Sequence, residues 1–295
     1  MTTPPRLALT FVARTFRPLS SGLPTATIQT PIKYSSRAAD RLPLKRPVAI
    51  SLSHSGNRAT RLGLLALALA VFSGCQSIDM NSPQLRVIDA SPDAGVLDSY
   101  QNNAGLAYNL SFGTMTSYVP MSAGSYTLTA DRAGTRQTLA TTNATLSPGK
   151  QYTAIIGNDL ASMQQTILLD QSQPAPAGEI AVRFVQQATR SGAVDIYLVP
   201  RNGRPANTQA IATNLSFGAN SGYLSVPAGT YAIDIVPTGT VLVSSTVTLL
   251  SGAQVDYPSG SVRTVVLIDQ EILGPQRAGL TPGVQTITLA DADAL

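Results

Sequence analysis

From Leu85 onward, apolar and polar residues alternate in short runs bounded by glycine, proline and serine. In Ser125–Ala130 the residues Tyr126, Leu128 and Ala130 fall on one side and Thr127 and Thr129 on the other. That is the period-two pattern of a strand with one buried face. Tyr231, Ile233 and Ile235 repeat it further along the chain. Before residue 171 the runs are Arg86–Ala90, Val96–Tyr100, Ser117–Pro120, Ser125–Ala130, Gln137–Thr141, Gln151–Ile156 and Gln165–Asp170. Their spacing of roughly ten residues, with no long 3.6-period segment, predicts an antiparallel, Ig-like β-sandwich. Ala123-Gly124-Ser125-Tyr126 and Ala228-Gly229-Thr230-Tyr231 read as turns leading into strands.

The runs occur twice. Leu85–Ser91 answers Val182–Ala188, and Gly95–Tyr100 answers Gly192–Tyr197. Asn109-Leu-Ser-Phe-Gly113 recurs unchanged as Asn214-Leu-Ser-Phe-Gly218, and Tyr118–Tyr126 answers Tyr223–Tyr231. Pro148–Ile156 answers Ser259–Leu267, and Gln165–Asp170 answers Gln285–Asp291. The growing offset places insertions in the second copy at Pro200–Thr213, around Gln254–Ser259, and at Gly274–Gly283; loops such as these carry binding more often than strands do. The all-β fold is therefore expected as two tandem sandwiches, residues 85–171 and 179–292, joined by a Pro-rich linker at 172–178. Each copy is long enough to bury a core.

The first 84 residues differ. Residues 1–57 are basic and rich in proline and serine, without period, and read as a disordered pre-region or as sequence ahead of the true start. Arg58 and Arg61 then precede an eleven-residue apolar run, Leu62–Phe72, followed by Ser73-Gly74-Cys75. A basic stretch, an apolar run of this length and small residues are the parts of a signal peptide; about 20 apolar residues are needed to span a bilayer. Residues 58–74 resemble a bacterial lipoprotein signal, carried by Phe72-Ser73-Gly74-Cys75, with Phe72 in place of the usual Leu. The resemblance implies cleavage before Cys75 and acylation of that residue, so that the membrane is a partner through several acyl chains. Gln76 after the cysteine implies a place in the cell envelope, on the outer membrane where the organism has one. Residues 75–84 form the tether.

The repeats resemble the bacterial family catalogued as domain of unknown function 4397. The resemblance rests on Arg86-Val-Ile-Asp-Ala-Ser-Pro-Asp-Ala94, Asp98, Tyr100, Tyr118, Pro120, Ala123-Gly124 and Tyr126, while the second copy has Ala188-Thr-Arg-Ser191 in place of Ser-Pro-Asp. It implies an exported protein, often with tandem copies, and no agreed activity.

The net charge of +4 is misleading. Ten of the Lys and Arg residues precede Cys75 with one acid, leaving ten basic and fifteen acidic residues from Cys75 onward, a balance of −5. No basic cluster remains there to neutralise phosphates, so nucleic acid is not an expected partner. The one histidine, His54, lies before the cut and the one cysteine is Cys75, which excludes intrachain disulfides, Cys/His metal sites and His-dependent triads.

Several side chains remain as candidates. Asp89, Asp93 and Asp98 cluster in sequence and have the oxygen chemistry of calcium ligands, but without a calcium-loop pattern; Asp93 reads better as a turn residue bonding its own backbone. Asp98 with Asp195, or Glu179 with Glu271, are the acid pairs a glycosidase would need, although the first two are equivalent positions in separate copies. Tyr126 and Tyr231 read as core residues, as their repetition suggests. Tyr118 and Tyr223 are also repeated, whereas Tyr108 has no counterpart and is free for a ligand. Lys150, the one Lys after the anchor, reads as solvated rather than as a pilin-like crosslink donor. No catalytic, cofactor or metal residue is assigned. The expected function is a non-catalytic structural or binding module for a protein or glycan, and the alternative is an envelope enzyme acting on carbohydrate polymers.

Overall fold

The computed structural model describes residues 81–270 and 283–293. The pre-region, signal segment, Cys75, most of the tether and Glu271 lie outside the described residues. The first copy forms β1 (Gln84–Asp89), β2 (Leu97–Gln101), β3 (Ala104–Leu110), β4 (Val119–Pro120), β5 (Gly124–Arg132), β6 (Thr138–Leu146), β7 (Gln151–Gly157) and β8 (Gln164–Asp170). The second forms β9 (Glu179–Gln186), β10 (Val194–Pro200), β11 (Ala210–Leu215), β12 (Asn220–Pro227), β13 (Gly229–Pro237), β14 (Leu250–Ser251), β15 (Val255–Tyr257), β16 (Val262–Asp269) and β17 (Val284–Ala292). Among the described residues the helical elements are single 3-10 turns at Leu160–Ser162 and Pro205–Asn207.

Each copy is a two-sheet sandwich, so the chain is all-β as expected. The first pairs an outer sheet, β3-β2-β5-β6, with an inner sheet, β4-β1-β7-β8. The second pairs an inner sheet, β12-β9-β16-β17, with an outer one, β11-β10-β13-β14, and β15 also joins β13. The sheets are antiparallel except for one pair in each inner sheet, β1 with β7 and β9 with β16. Leu85, Val87, Leu97, Leu128, Ala130 and Ile156 fill the first core, and Val182, Phe184, Ile196, Ile235, Val265 and Leu267 the second.

The central strands of the inner sheets, β1, β7, β9 and β16, are buried on both faces. Along β1, Leu85 and Val87 enter the sandwich, so Arg86 and Ile88 point the other way. Ile88, Ala90 and Ile155 meet Val185, Val266, Ile268 and Leu289 in a third apolar cluster, with Phe112, Leu168 and Ile287 packed against it. The two copies therefore stack inner sheet on inner sheet within one compact unit. Strands covered on both faces read as near-continuous apolar runs, and Val182–Val185 and Val265–Ile268 have that form. The 172–178 segment is fastened down as well: Ala175 is buried against Ala181 and Val262 and donates its N–H to Gly260 O at 2.9 Å.

Three local expectations change. β3 was not among the expected runs, and it follows β2 through the two residues Asn102 and Asn103, both at positive φ (44° and 72°), as a two-residue hairpin of right-handed twist requires. The Gln137–Thr141 run extends to Leu146. The second insertion is displaced from Gln254–Ser259. Ala130 pairs with Ala140 and the equivalent Ile235 pairs with Leu250, so most of the added length lies in the loop 238–249.

Candidate functional site

At one end of the interface two arginines exchange partners. From β1, Arg86 hydrogen-bonds Asp291 through Nη2, donates Nη1 to Ala290 O at 3.0 Å, and donates Nε to Thr153 Oγ1 at 2.8 Å. The equivalent Arg183 on β9 returns the gesture, reaching Asp170 Oδ1 at 2.5 Å, Leu169 O at 2.9 Å and Thr264 Oγ1 at 3.1 Å. Tyr118 donates to Asp170 Oδ2 and Tyr223 to Asp291 Oδ2, each at 2.8 Å. The Arg86 and Arg183 guanidinium carbons lie 4.5 and 4.6 Å from the centroids of those same rings. Burial pushes both phenols well above their ordinary range; Asp170 adds to the rise at Tyr118 and Arg183 opposes it at Tyr223. A bulge between Val262 and Arg263 absorbs the extra residue of β17 and lets Asp291 occupy the place of Asp170. Tyr118 and Tyr223 thus belong to a pseudo-two-fold lock between the copies and are not available to a ligand.

The three sequence-clustered acids are separated by the fold. Asp98 sits on the outer sheet and accepts the N–H groups of Asn109 (2.9 Å) and Gly134 (3.0 Å). Asp195 accepts those of Asn214 (2.8 Å) and Gly239 (3.0 Å) in the same way. Each holds an asparagine at positive φ, 55° and 52°, at the start of the repeated Asn-Leu-Ser-Phe-Gly. Asp98 and Asp195 are loop brackets, one in each copy, rather than a converging pair. Asp93 reaches a distant loop, accepting the Leu160 N–H at 2.7 Å, instead of bonding its own turn. Glu179 is tied to Ser225, and Lys150 is exposed. Tyr126 and Tyr231 lean on their cores and donate to the carbonyls of Ser122 (2.8 Å) and Pro227 (2.9 Å).

Asp89, at the end of β1 on the same side of the sheet as Leu85 and Val87, is fully buried. Its Oδ1 accepts the Ser91 N–H at 2.9 Å and its Oδ2 has no hydrogen-bond partner among the described residues. Burial pushes its carboxyl up to about 7 against the opposing Ser91 amide. The folded chain therefore keeps this proton where the unfolded chain, at 3.8, has released it. The contribution to stability is fully present below pH 3.8 and is lost as the pH climbs through about 7. The second copy carries neutral Gln186 at this position. Asp89→Asn is expected to be near-neutral at pH 4 and to stabilise the chain at pH 8 by about 1–3 kcal/mol; urea denaturation at both pH values measures it.

The two outer sheets differ most. In the second copy Leu242, from the enlarged 238–249 loop, packs on Tyr197, Val199, Ala232 and Val236 and covers the outward face. In the first copy that face is open. Because Leu128 and Ala130 enter the core, Thr127 and Thr129 point outward, and Tyr100, paired with Thr129, points outward too. Tyr108 is 62% exposed and meets Tyr100 edge to face, with centroids 5.8 Å apart and planes at 88°. Its phenol end lies over Gly105, where an added Cβ would collide with it. Arg136 stands over Tyr100 at 5.6 Å. Beside the rings run Thr129 opposite Thr141 and Thr127 opposite Asn143, the latter pair hydrogen-bonded at 3.1 Å.

The model of a family described as a domain of unknown function (DUF4397) matches residues 83–197 and 205–292. The chain belongs to this family. The first DUF4397 match spans the first sandwich and runs on through β9 into β10 of the second, and the other match covers β11–β17. A comparison with curated proteins found no match. Among solved structures, the chain is similar to the TIE protein of Bacillus anthracis, at 9% identity and a TM-score of 0.20, over 71% of this chain and 44% of that one. It is also similar to the family 26 carbohydrate-binding module of Eubacterium rectale Amy13K, solved with maltoheptaose, at 11% identity and a TM-score of 0.21, over 70% of this chain and 96% of that one.

Tyr108 is the one ligand candidate from the sequence that the structure leaves exposed on an open face. Tyr100, named in the sequence only among the residues of the family resemblance, and Arg136, not named there, join it through strand pairing and a loop. The Arg–Asp lock also escaped sequence reasoning, although a signal was present: an arginine inside an apolar run at equivalent positions, 86 and 183.

Proposed function

We propose that this DUF4397 protein is a lipid-anchored envelope protein whose two sandwiches form one non-catalytic body that engages a glycan or protein partner. Cys75 carries the acyl chains, residues 75–84 lift the body off the membrane, and the outward face of the first sandwich is the binding surface. The observation that carries the binding role is the exposed Tyr108 ring, set against the half-buried Tyr100, on a face whose counterpart in the second copy is covered. Tyrosine suits such contact, having an apolar ring and a polar tip. A glycosidase reading is disfavoured by Asp98 and Asp195, which are spent on backbone amides.

Two measurements test this. Metabolic labelling with an alkyne fatty acid is expected to tag the wild type and to leave Cys75→Ala untagged and soluble; labelling of Cys75→Ala overturns the anchor. Affinity capture from envelope extracts is expected to lose its partner with Tyr108→Ala, and unchanged capture overturns the face.

A further inference from the structure

We infer that the open face of the first sandwich is built for an uncharged polysaccharide, with Tyr108 as the stacking ring, braced edge to face by Tyr100, and the Thr129–Thr141 rows as the hydroxyl-binding track. This rests on the proposed binding role and commits it to one ligand class.

The face is poor in accessible charge. Its freely accessible polar groups are threonine hydroxyls and the Asn143 amide, and its exposed cation is Arg136. The carboxylates near Tyr100 are those of Asp98 and Asp131, directly opposite each other on β2 and β5, and both push the Tyr100 phenol up after burial does so. Acids outnumber the cation there, and the chain from Cys75 onward is at −5. A polyanion meets repulsion on this surface. A protein partner would need a larger apolar centre, since the cores of such interfaces are dehydrated and apolar, and two rings beside rows of hydroxyls do not supply one.

A neutral sugar chain fits what is present. The C–H face of a pyranose lies on an aromatic ring, while its hydroxyls exchange hydrogen bonds with short polar side chains. Thr129 and Thr141 are cross-strand partners, and neither hydroxyl makes a hydrogen bond within the protein among the described residues. From β3 to β6 four strands spaced by about 4.8 Å span roughly 14 Å, room for several sugar rings. The rings are also fixed beforehand: Tyr108 lies on Gly105 and against Tyr100, which Arg136 covers from its side. Holding the platform in place lowers the ordering cost of binding.

The test uses the full lipidated chain in a detergent without a sugar headgroup, titrated calorimetrically with cellohexaose, maltohexaose, mannohexaose and hexagalacturonate. At least one neutral hexasaccharide is expected to bind with Kd of roughly 0.1–1 mM, changing less than about twofold as salt is raised, since no ion pair is screened. Hexagalacturonate is expected to be at least about tenfold weaker. Tyr108→Ala is expected to weaken the neutral sugar about tenfold or more. Because Tyr108 is exposed, the variant should keep its melting temperature. Gly105→Ala supplies a second variant, in which the new Cβ displaces the Tyr108 ring and leaves every hydroxyl in place; it should lose affinity similarly. Binding of hexagalacturonate as tight as that of the neutral sugars overturns the inference. Absence of all neutral-sugar binding, with envelope capture still lost in Tyr108→Ala, also overturns it while leaving the binding face intact. Capture unaffected by Tyr108→Ala removes the face itself.

Discussion

Arg86→Ala is expected to destabilise the folded body by about 3–5 kcal/mol, lowering its melting temperature by roughly 6–20 °C. The arginine is buried at the seam between the copies and has three hydrogen-bonding directions filled, by Asp291, the Ala290 carbonyl and Thr153. Removing it leaves the Asp291 carboxylate in the interface with only Thr264 and Tyr223 as neutral donors, at 2.6 and 2.8 Å. It also leaves a void beside the Tyr118 ring. An ion pair of this kind need not stabilise relative to an apolar substitute, because desolvating two charges costs as much as their attraction returns. Breaking it from one side is the expensive change. Arg86→Met combined with Asp291→Leu is therefore expected to recover much of the loss, and Arg183→Ala should match Arg86→Ala within about 1 kcal/mol. Urea denaturation of the three variants measures this, and a loss below about 1 kcal/mol in Arg86→Ala would place the lock outside the cooperative core.

The sequence displays much of this architecture, and its silences have physical causes. Alternation at Tyr126, Leu128 and Ala130 reports one strand against one core, so the sandwiches and their duplication are legible. The inner strands are harder to read, since burial on both faces erases the alternation and Leu85–Ile88 looks the same whether its second face meets solvent or a partner sheet. Arg86 is the exception in that run, and its role depends on a residue more than 200 positions away. β3 is hidden for another reason: Ala104-Gly-Leu-Ala-Tyr-Asn-Leu110 is poor in β-branched residues, and its hairpin uses Asn-Asn rather than a glycine-containing turn. Tyr108 stood out because it has no counterpart in the second copy, yet its neighbours on the face come from β2 and from Arg136 in the loop beyond β5, an association set only by strand order.

The lock has a further consequence for the separated copies. Residues 81–171 alone are expected to associate as a two-fold dimer rather than persist as a monomer. Alone, this copy exposes Ile88, Ala90 and Ile155 in a contiguous apolar patch, with the buried charges of Arg86 and Asp170 beside it. In the full chain Arg86 takes Asp291, with Asp170 of its own copy farther off at 3.6 Å, and Arg183 takes Asp170. Because Asp291 occupies the position of Asp170, a second identical copy offers Arg86 an equivalent carboxylate, and the exchange closes in both directions. That self-complementarity is what a two-fold interface requires. Sedimentation velocity is expected to show the dimer, and Ile155→Asp should abolish it by placing a charge without a partner at its centre. In the intact chain the same substitution should cost several kcal/mol, because the seam that the isolated copy would rebuild between two molecules is part of the core of one. A soluble 81–171 monomer with native strand content would instead make each sandwich independent and the seam a secondary contact.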